Sequence, residues 1–335
     1  MFSCPVCDCA NAHSVLSVTA KRAAAHFLTE RSDPSRYSKL VSCIETLWGC
    51  ESCQILSCSG CGLSFAEPFI AGNLEFYGLV SVRNGYPSTK WEFTETVAIL
   101  EERGIRGGKV LEIGAGAGHF LKRVSPGRFH PCNVTALEYN SRSVEALGTL
   151  GYNAVLGDFR DLLPADSEFR AIFMFQVLEH LDQVPRTFTR LRDLLAPGGD
   201  LFIAVPNPLL IEFNEKSGSL LDMPPNHIAR WRQRTFQYVA QRYGFELVSI
   251  RVEPFSWRTF LAQDIGYFYL RKAQEDRTIA QYSRVLRSSL LGRGIMLAAA
   301  MAYAPARVPV WLRSLPELHL YGGSMLAHFT LPAVP

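Results

Sequence analysis

The chain has 335 residues, about twice the common size of one domain, so a large domain with an accessory module is expected. With 48% hydrophobic and 19% charged residues it can bury a sizeable core, which excludes intrinsic disorder as its main state. A formal net charge of +3 is too small to mark a nucleic-acid protein. The charge is uneven: from Arg251 to the end, ten Lys/Arg stand against five Asp/Glu.

In chain order, residues 1–66 are expected to form a Cys-rich module, 67–254 the core domain, and 255–335 a helical insertion with a final strand. Eight of the nine cysteines lie before residue 62, and MFSCPVCDC has neither a basic n-region nor an apolar h-region. The expectation is a cytoplasmic chain whose thiols stay reduced and bind metal. Cys4 and Cys7, then Cys58 and Cys61, make two C-x-x-C knuckles with 50 residues between them. Four thiolates suit a closed tetrahedral Zn2+ site, structural because no position is left open for water. Cys50 and Cys53 form a third knuckle that could replace Cys4 and Cys7. Cys9 and Cys43 read as ordinary thiols.

From about residue 85, short apolar runs alternate with helical patterns, the signature of βαβ units around a parallel sheet. Lys109–Ile113 is the first such strand and runs into Gly114-Ala-Gly-Ala-Gly118, before a helix opening at His119. Asn133–Leu137 is the second strand, ending at Glu138, with Ser141 as N-cap of the next helix. Asn153–Leu156 is the third, ending at Gly157-Asp158. Arg170–Phe175 is the fourth, continuous and apolar as strands buried on both faces are. A helix follows through Leu195, stopped by Pro197-Gly198-Gly199. Asp200–Val205 is the fifth strand. Thr235–Tyr243 is helical, and Phe245–Val252 is the sixth strand. The predicted fold class is α/β: a Rossmann-like, seven-stranded, mostly parallel sheet with helices on both faces.

The Gly-rich turn lets a ligand approach the backbone, and the helix after it presents free N–H groups. Glu112, just before the glycines, sits where a phosphate-binding loop would avoid negative charge. With Glu138 and Asp158 at the next two strand tips, it describes a ligand with an amine, a ribose and an adenine but no phosphate. S-adenosylmethionine is that ligand.

VLEIGAGAGHFL, ALEYN, GDFRDL, FQVLEHL and LLAPGGDLFIAVPN, in this order, resemble the successive motifs of class I S-adenosylmethionine-dependent methyltransferases over residues 105–254. The resemblance implies that Glu112 receives the methionine amino group, and that Gly114, Ala115, Gly116 and Gly118 line the methionine and ribose parts. It further implies that Glu138 holds both ribose hydroxyls. Asp158 would accept from the adenine amino group, with Phe159 beside the ring and Gln176 on the methionine side. The cysteine knuckles, with GLSFAEP after the second, resemble the zinc-ribbon-like leader of one branch of the family, which includes sugar C-methyltransferases. In that branch, aromatics placed like Phe76-Tyr77 and Tyr86-Pro87 close over the cofactor; helix-core and loop packing is the plainer alternative.

Two histidines face the expected acceptor cleft, His180 after the fourth strand and His227 after the fifth. Each is a candidate base, and each could instead cap a helix or anchor a loop. In the tail, 279–318 reads as a helical insertion and Gly322–Leu331 as the seventh strand, antiparallel as the family implies. The apolar stretch Ile295–Leu312 is interrupted by Pro305, Arg307 and Pro309, which argues against a membrane span. Burial is expected there, with weak peripheral membrane contact as the alternative. The leading function is methyl transfer to a small molecule: a sugar nucleotide, a secondary metabolite or an envelope glycan or lipid precursor. Methylation of RNA is the second reading, disfavoured because residues 1–66 lack Arg/aromatic interleaving; a non-catalytic scaffold is the third. No nucleic-acid partner is expected.

Overall fold

The computed structural model describes residues 3–31, 33–80, 87–125, 127–163, 168–275, 298, 301–302 and 304–333. Tyr86 and most of the insertion before residue 298 lie outside them. The described residues fall into two compact units. One comprises Met1–Pro206, Met223–Glu253 and Ser324–Pro335, and the other Asn207–Asp222 and Pro254–Gly323.

The first unit holds two sheets. The smaller begins with β1 (Ala12–Thr19), β2 (Ser52–Cys58) and β3 (Ser64–Glu67), an antiparallel set that carries the second cysteine knuckle between β2 and β3. The larger contains β4 (Val110–Ile113), β5 (Val134–Glu138), β6 (Asn153–Leu156), β7 (Phe169–Phe175) and β8 (Leu195–Pro206). A two-residue strand, β9 (Ala229–Arg230), leaves the loop after β8 and adds to the small sheet, Phe65 opposite Ala229. The large sheet is completed by β10 (Glu246–Val252) and β11 (Ser324–Thr330).

Its order is β10-β11-β8-β7-β4-β5-β6. The strands from β8 to β6 run parallel, whereas β11 is antiparallel to both β8 and β10. This is the expected Rossmann-like sheet, with the seventh strand inserted antiparallel as the tail reading required. β4 and β5 are buried at every position, and β7 at every position but Arg170, because helices cover both faces. That burial is why VLEI, VTALE and FRAIFMF are continuous rather than alternating. Phe120, Phe173, Phe175 and Phe202 fill one face and Phe188, Trp231, Phe236 and Phe329 the other.

Two boundaries shift for identifiable reasons. The helix Ser141–Thr149 is capped by Asn140, whose side chain accepts from the Arg142 and Ser143 N–H groups, so Ser141 is its first helical residue. Pro197-Gly198-Gly199 lies inside β8 rather than after a helix end, because Gly198 N–H bonds to Leu331 and Leu331 N–H to Gly199.

In the second unit, Leu210, Phe213, Phe260 and Leu318 form the core, with Val310 and Trp311 packed against it. Asp264 is fully buried and binds Arg307 Nε at 2.9 Å and Nη2 at 2.7 Å, Trp311 Nε1 at 2.7 Å, and Ser217 Oγ. The helix Ala304–Ser314 is therefore pinned by one face. Burial does not extend over the whole apolar stretch: Met301, Val308 and Leu312 are exposed. Among the described residues no helix is long and apolar enough to cross a membrane.

Candidate active site

The carboxyl ends of β4, β5 and β7 bring the acidic and glycine residues to one edge. Glu112 is 2% exposed, and its Oε2 has no hydrogen-bond partner among the described residues. Burial pushes this carboxyl well above its ordinary range; Lys90 opposes the shift and Glu138 adds to it. Gly114 follows with φ +76°, and a Cβ there would come within 2.5 Å of Val177 Cγ2. Gly118, at φ +69°, would meet Leu147 Cδ2 at 2.8 Å. Both positions need glycine for backbone conformation and for space. Ala115 is buried, its N–H donating to Leu137. Glu138 closes the turn: Oε1 accepts the Gly116 N–H at 2.7 Å and Oε2 the Tyr139 N–H at 2.8 Å. A carboxylate offers about four acceptor sites, so two remain for a ligand.

Asp158 caps the short helix Phe159–Leu162 and is gripped by Arg160, with Nε at 2.9 and 3.0 Å from the two carboxylate oxygens. Burial would raise its pKa, but the Arg160 hydrogen bonds and charge and the Tyr139 hydroxyl outweigh it, and the Asp158 carboxyl is held below its ordinary range. Phe159 is buried in the core alongside Leu111 and Ile113 rather than lying open at the edge. Gln176 adopts φ +58° at the end of β7 and donates to Glu92 Oε1 at 3.1 Å and Ser324 Oγ at 3.2 Å.

The two histidines, separate in sequence, meet. Their ring centroids are 4.6 Å apart, nearly perpendicular. His180 Nδ1 lies 2.6 Å from the Asn226 carbonyl, and a carbonyl only accepts, so Nδ1 carries the proton. Nε2 is then an acceptor, 3.9 Å from Glu179 Oε1. Tyr77 Oη is 3.2 Å from Nδ1. Burial, then the neighbouring His227, hold the His180 imidazole well below its ordinary value, while the Asn226 bond counters them. His227 is positioned from both sides: Ile228 N–H binds the Glu179 carbonyl at 2.9 Å, and Ala66 N–H binds the Ile228 carbonyl at 2.8 Å. Donor atoms of Glu179, His180 and His227 all lie within 4.8 Å of one another.

The cysteine knuckles interleave. Cys4 Sγ is 3.5 Å from Cys61 Sγ and Cys7 Sγ 3.4 Å from Cys58 Sγ, with all four sulfurs within 4.8 Å. A disulfide would be about 2.05 Å. A tetrahedron of sulfurs about 2.3 Å from a common centre has edges of about 3.8 Å, which these thiols nearly match. The Gly60 N–H donates to Cys58 Sγ at 3.3 Å, and Thr235 and Arg242 bind the backbone of Cys61 and Val6. Cys53 and Cys50 are elsewhere, bonded to the carbonyls of Gln54 and Ser52. β2 is extended between Cys53 and Cys58, about 16 Å at strand rise, so the third knuckle cannot replace the first.

The structure thus unites Glu112, Gly114, Ala115, Gly116 and Glu138 around one turn, and His180 with His227 at a second point. The sequence reading missed Arg160, although it lies two residues after Asp158 in the quoted GDFRDL. It also missed Glu92, 84 residues from its partner Gln176, for which no local signal exists.

A methyltransferase-domain family matches residues 91–250. No curated protein matches the chain significantly. Among solved structures it is similar to an S-adenosylmethionine-dependent methyltransferase from Archaeoglobus fulgidus, at 14% identity over 71% of this chain and 94% of that one, TM-score 0.42. It is also similar to a phosphoethanolamine N-methyltransferase from Haemonchus contortus in complex with S-adenosyl-L-methionine. That match has 15% identity over 73% and 56% of the two chains, TM-score 0.43. Five ordered motifs, the seven-stranded sheet with its antiparallel β11 and the family match converge: residues 91–250 of this chain form a class I S-adenosylmethionine-dependent methyltransferase domain.

Proposed function

We propose that this enzyme methylates a small molecule whose acceptor atom must lose a proton: a sugar nucleotide, a secondary metabolite or an envelope precursor. The observation that carries the reading is the 2.6 Å bond from His180 Nδ1–H to the Asn226 carbonyl. It leaves Nε2 of a neutral imidazole as proton acceptor, with the Glu179 carboxylate 3.9 Å from that nitrogen and the His227 ring alongside. S-adenosylmethionine supplies the electrophilic methyl group at its sulfonium. Everything else falls to the chain. Glu112 takes the methionine ammonium, an assignment supported by its unbonded Oε2; Glu138 holds the ribose hydroxyls with its two remaining acceptor sites. Asp158, oriented by Arg160, serves the adenine, with Phe159 supporting that edge from the core beneath, while Gly114, Ala115, Gly116, Gly118 and Gln176 shape the methionine side. Tyr77 walls the acceptor space beside His180.

We further propose that Cys4, Cys7, Cys58 and Cys61 hold one structural Zn2+, supported by the near-tetrahedral sulfur spacing.

Labelled methyl groups from the cofactor should enter the small-molecule fraction of a cell extract. His180→Ala and His227→Ala should each cut incorporation by about 10²–10⁴-fold while keeping the cofactor-induced rise in melting temperature. Label recovered in RNA instead would overturn the acceptor class, and undiminished transfer in both variants would overturn the base.

A further inference from the structure

The second unit exposes more large apolar side chains than its size predicts. Among the described residues, Leu221, Trp257, Met301, Val308, Leu312, Leu315 and Leu320 are all exposed, half of the fourteen such residues in the chain. The unit's two segments, Asn207–Asp222 and Pro254–Gly323, make up about a quarter of the sequence. Three of the seven fall at helical spacing in one short run. Val308 and Leu312 are one turn apart on the helix Ala304–Ser314, and Leu315 follows directly after it. Val308 is 42% exposed and Leu312 60%.

The opposite face of that helix is committed. Arg307 is buried against Asp264, Trp311 Nε1 donates to the same carboxylate, and Val310 and Trp311 pack on the unit's core. The pinned face fixes which face is left outward. Pro305 and Pro309 also lie outward.

Charge points to the occupant. From Arg277 to Pro316 the sequence holds six arginines and no acidic residue. Arg307 is neutralised internally by Asp264, whereas Arg313 is exposed on the same helix as Val308 and Leu312. An apolar stripe with the exposed Arg313 beside it, in a basic stretch of sequence, suits neither water nor a neutral apolar partner; it suits the interface of an anionic bilayer, where apolar side chains enter the acyl boundary and arginine meets phosphate. No described helix is long and apolar enough to cross, so the contact is peripheral.

We infer that the helix Ala304–Ser314, with Leu315 directly after it, is a surface by which this methyltransferase adsorbs to anionic lipid membranes.

The full chain is co-sedimented with vesicles of phosphatidylglycerol and phosphatidylcholine, and in parallel with vesicles of phosphatidylcholine alone. The expected result is pelleting with the anionic vesicles only, reversed by high salt. The double variant Val308→Glu with Leu312→Glu should lower the bound fraction by about tenfold. Both positions are exposed, so the variant should keep its circular dichroism and its cofactor-induced melting shift. Arg313→Glu should weaken binding at low salt and change little at high salt. Absence of binding to anionic vesicles overturns the inference, as does binding unaltered in the double variant. A concentration-dependent dimer that the double variant abolishes, with no vesicle binding, would assign the stripe to a second copy of the chain and overturn it as well.

Discussion

Glu112 sits at the end of β4 with one carboxylate oxygen unbonded in a buried site, and its behaviour with pH follows from that. The folded chain keeps this proton to a higher pH than the unfolded chain, so the native state binds more protons above about pH 4.5. Its contribution to stability therefore falls as pH rises from that value through the raised one. Glu112→Gln, which removes the ionisable group but keeps the shape, should make the ligand-free protein more stable at neutral pH; the urea midpoint checks this. With the cofactor's ammonium at Oε2, as proposed, the charged carboxylate would be favoured instead, so binding should release a proton and tighten as pH rises. Calorimetry in two buffers of different ionisation enthalpy should give different apparent enthalpies for the wild type and nearly equal ones for Glu112→Gln. Glu138→Ala should abolish most of the cofactor-induced rise in melting temperature, because the rise follows ligand affinity by mass action. An unchanged rise would remove Glu138 from the ribose.

Among elements, the short strand β9 has a consequence out of proportion to its two residues. It joins the sheet carrying the cysteine knuckles to the loop carrying His227, through Phe65 opposite Ala229 and Ala66 N–H to Ile228. Cys58→Ser should remove the bound zinc, about one ion per chain by elemental analysis in the wild type, and destabilise this sheet. The loss should reach His227: transfer should fall while cofactor affinity, proposed to rest on the ends of β4 and β5, changes little. Cys50→Ser should keep the metal, since Cys50 bonds to Ser52 and stands outside the cluster.

At the scale of the whole molecule, the large sheet was legible because each βα unit announces itself locally. Strands buried on both faces must be continuous and apolar, and carboxylates at their ends must lie at one sheet edge. The second unit was legible only as helical and apolar, since which face of a helix is covered depends on partners far away in sequence. Asp264 illustrates this: it meets Arg307 after 43 residues and Trp311 after 47. Asp264→Asn should leave Arg307 buried without its counter-charge, at a cost of about 3–5 kcal/mol. The helical signal of the second unit should then be lost at lower temperature, as circular dichroism would show, with the cofactor site intact.

The sequence by itself determined the fold class, the methyltransferase domain, the Gly-rich turn proposed to receive the cofactor and the four thiols suited to metal. Each rests on spacing within a few residues or on strand ends that a parallel sheet brings together by geometry alone. Tertiary structure decided what spacing cannot encode. It brought His180 and His227 ring to ring and set the His180 tautomer through the Asn226 carbonyl, 46 residues on. It chose Cys4 and Cys7 over Cys50 and Cys53, because an extended strand holds Cys53 away from Cys58. It also turned Val308 and Leu312 outward by spending the opposite helix face on Asp264. For the histidines and for the helix face the deciding partner lies dozens of residues away, and only folding brings it within reach.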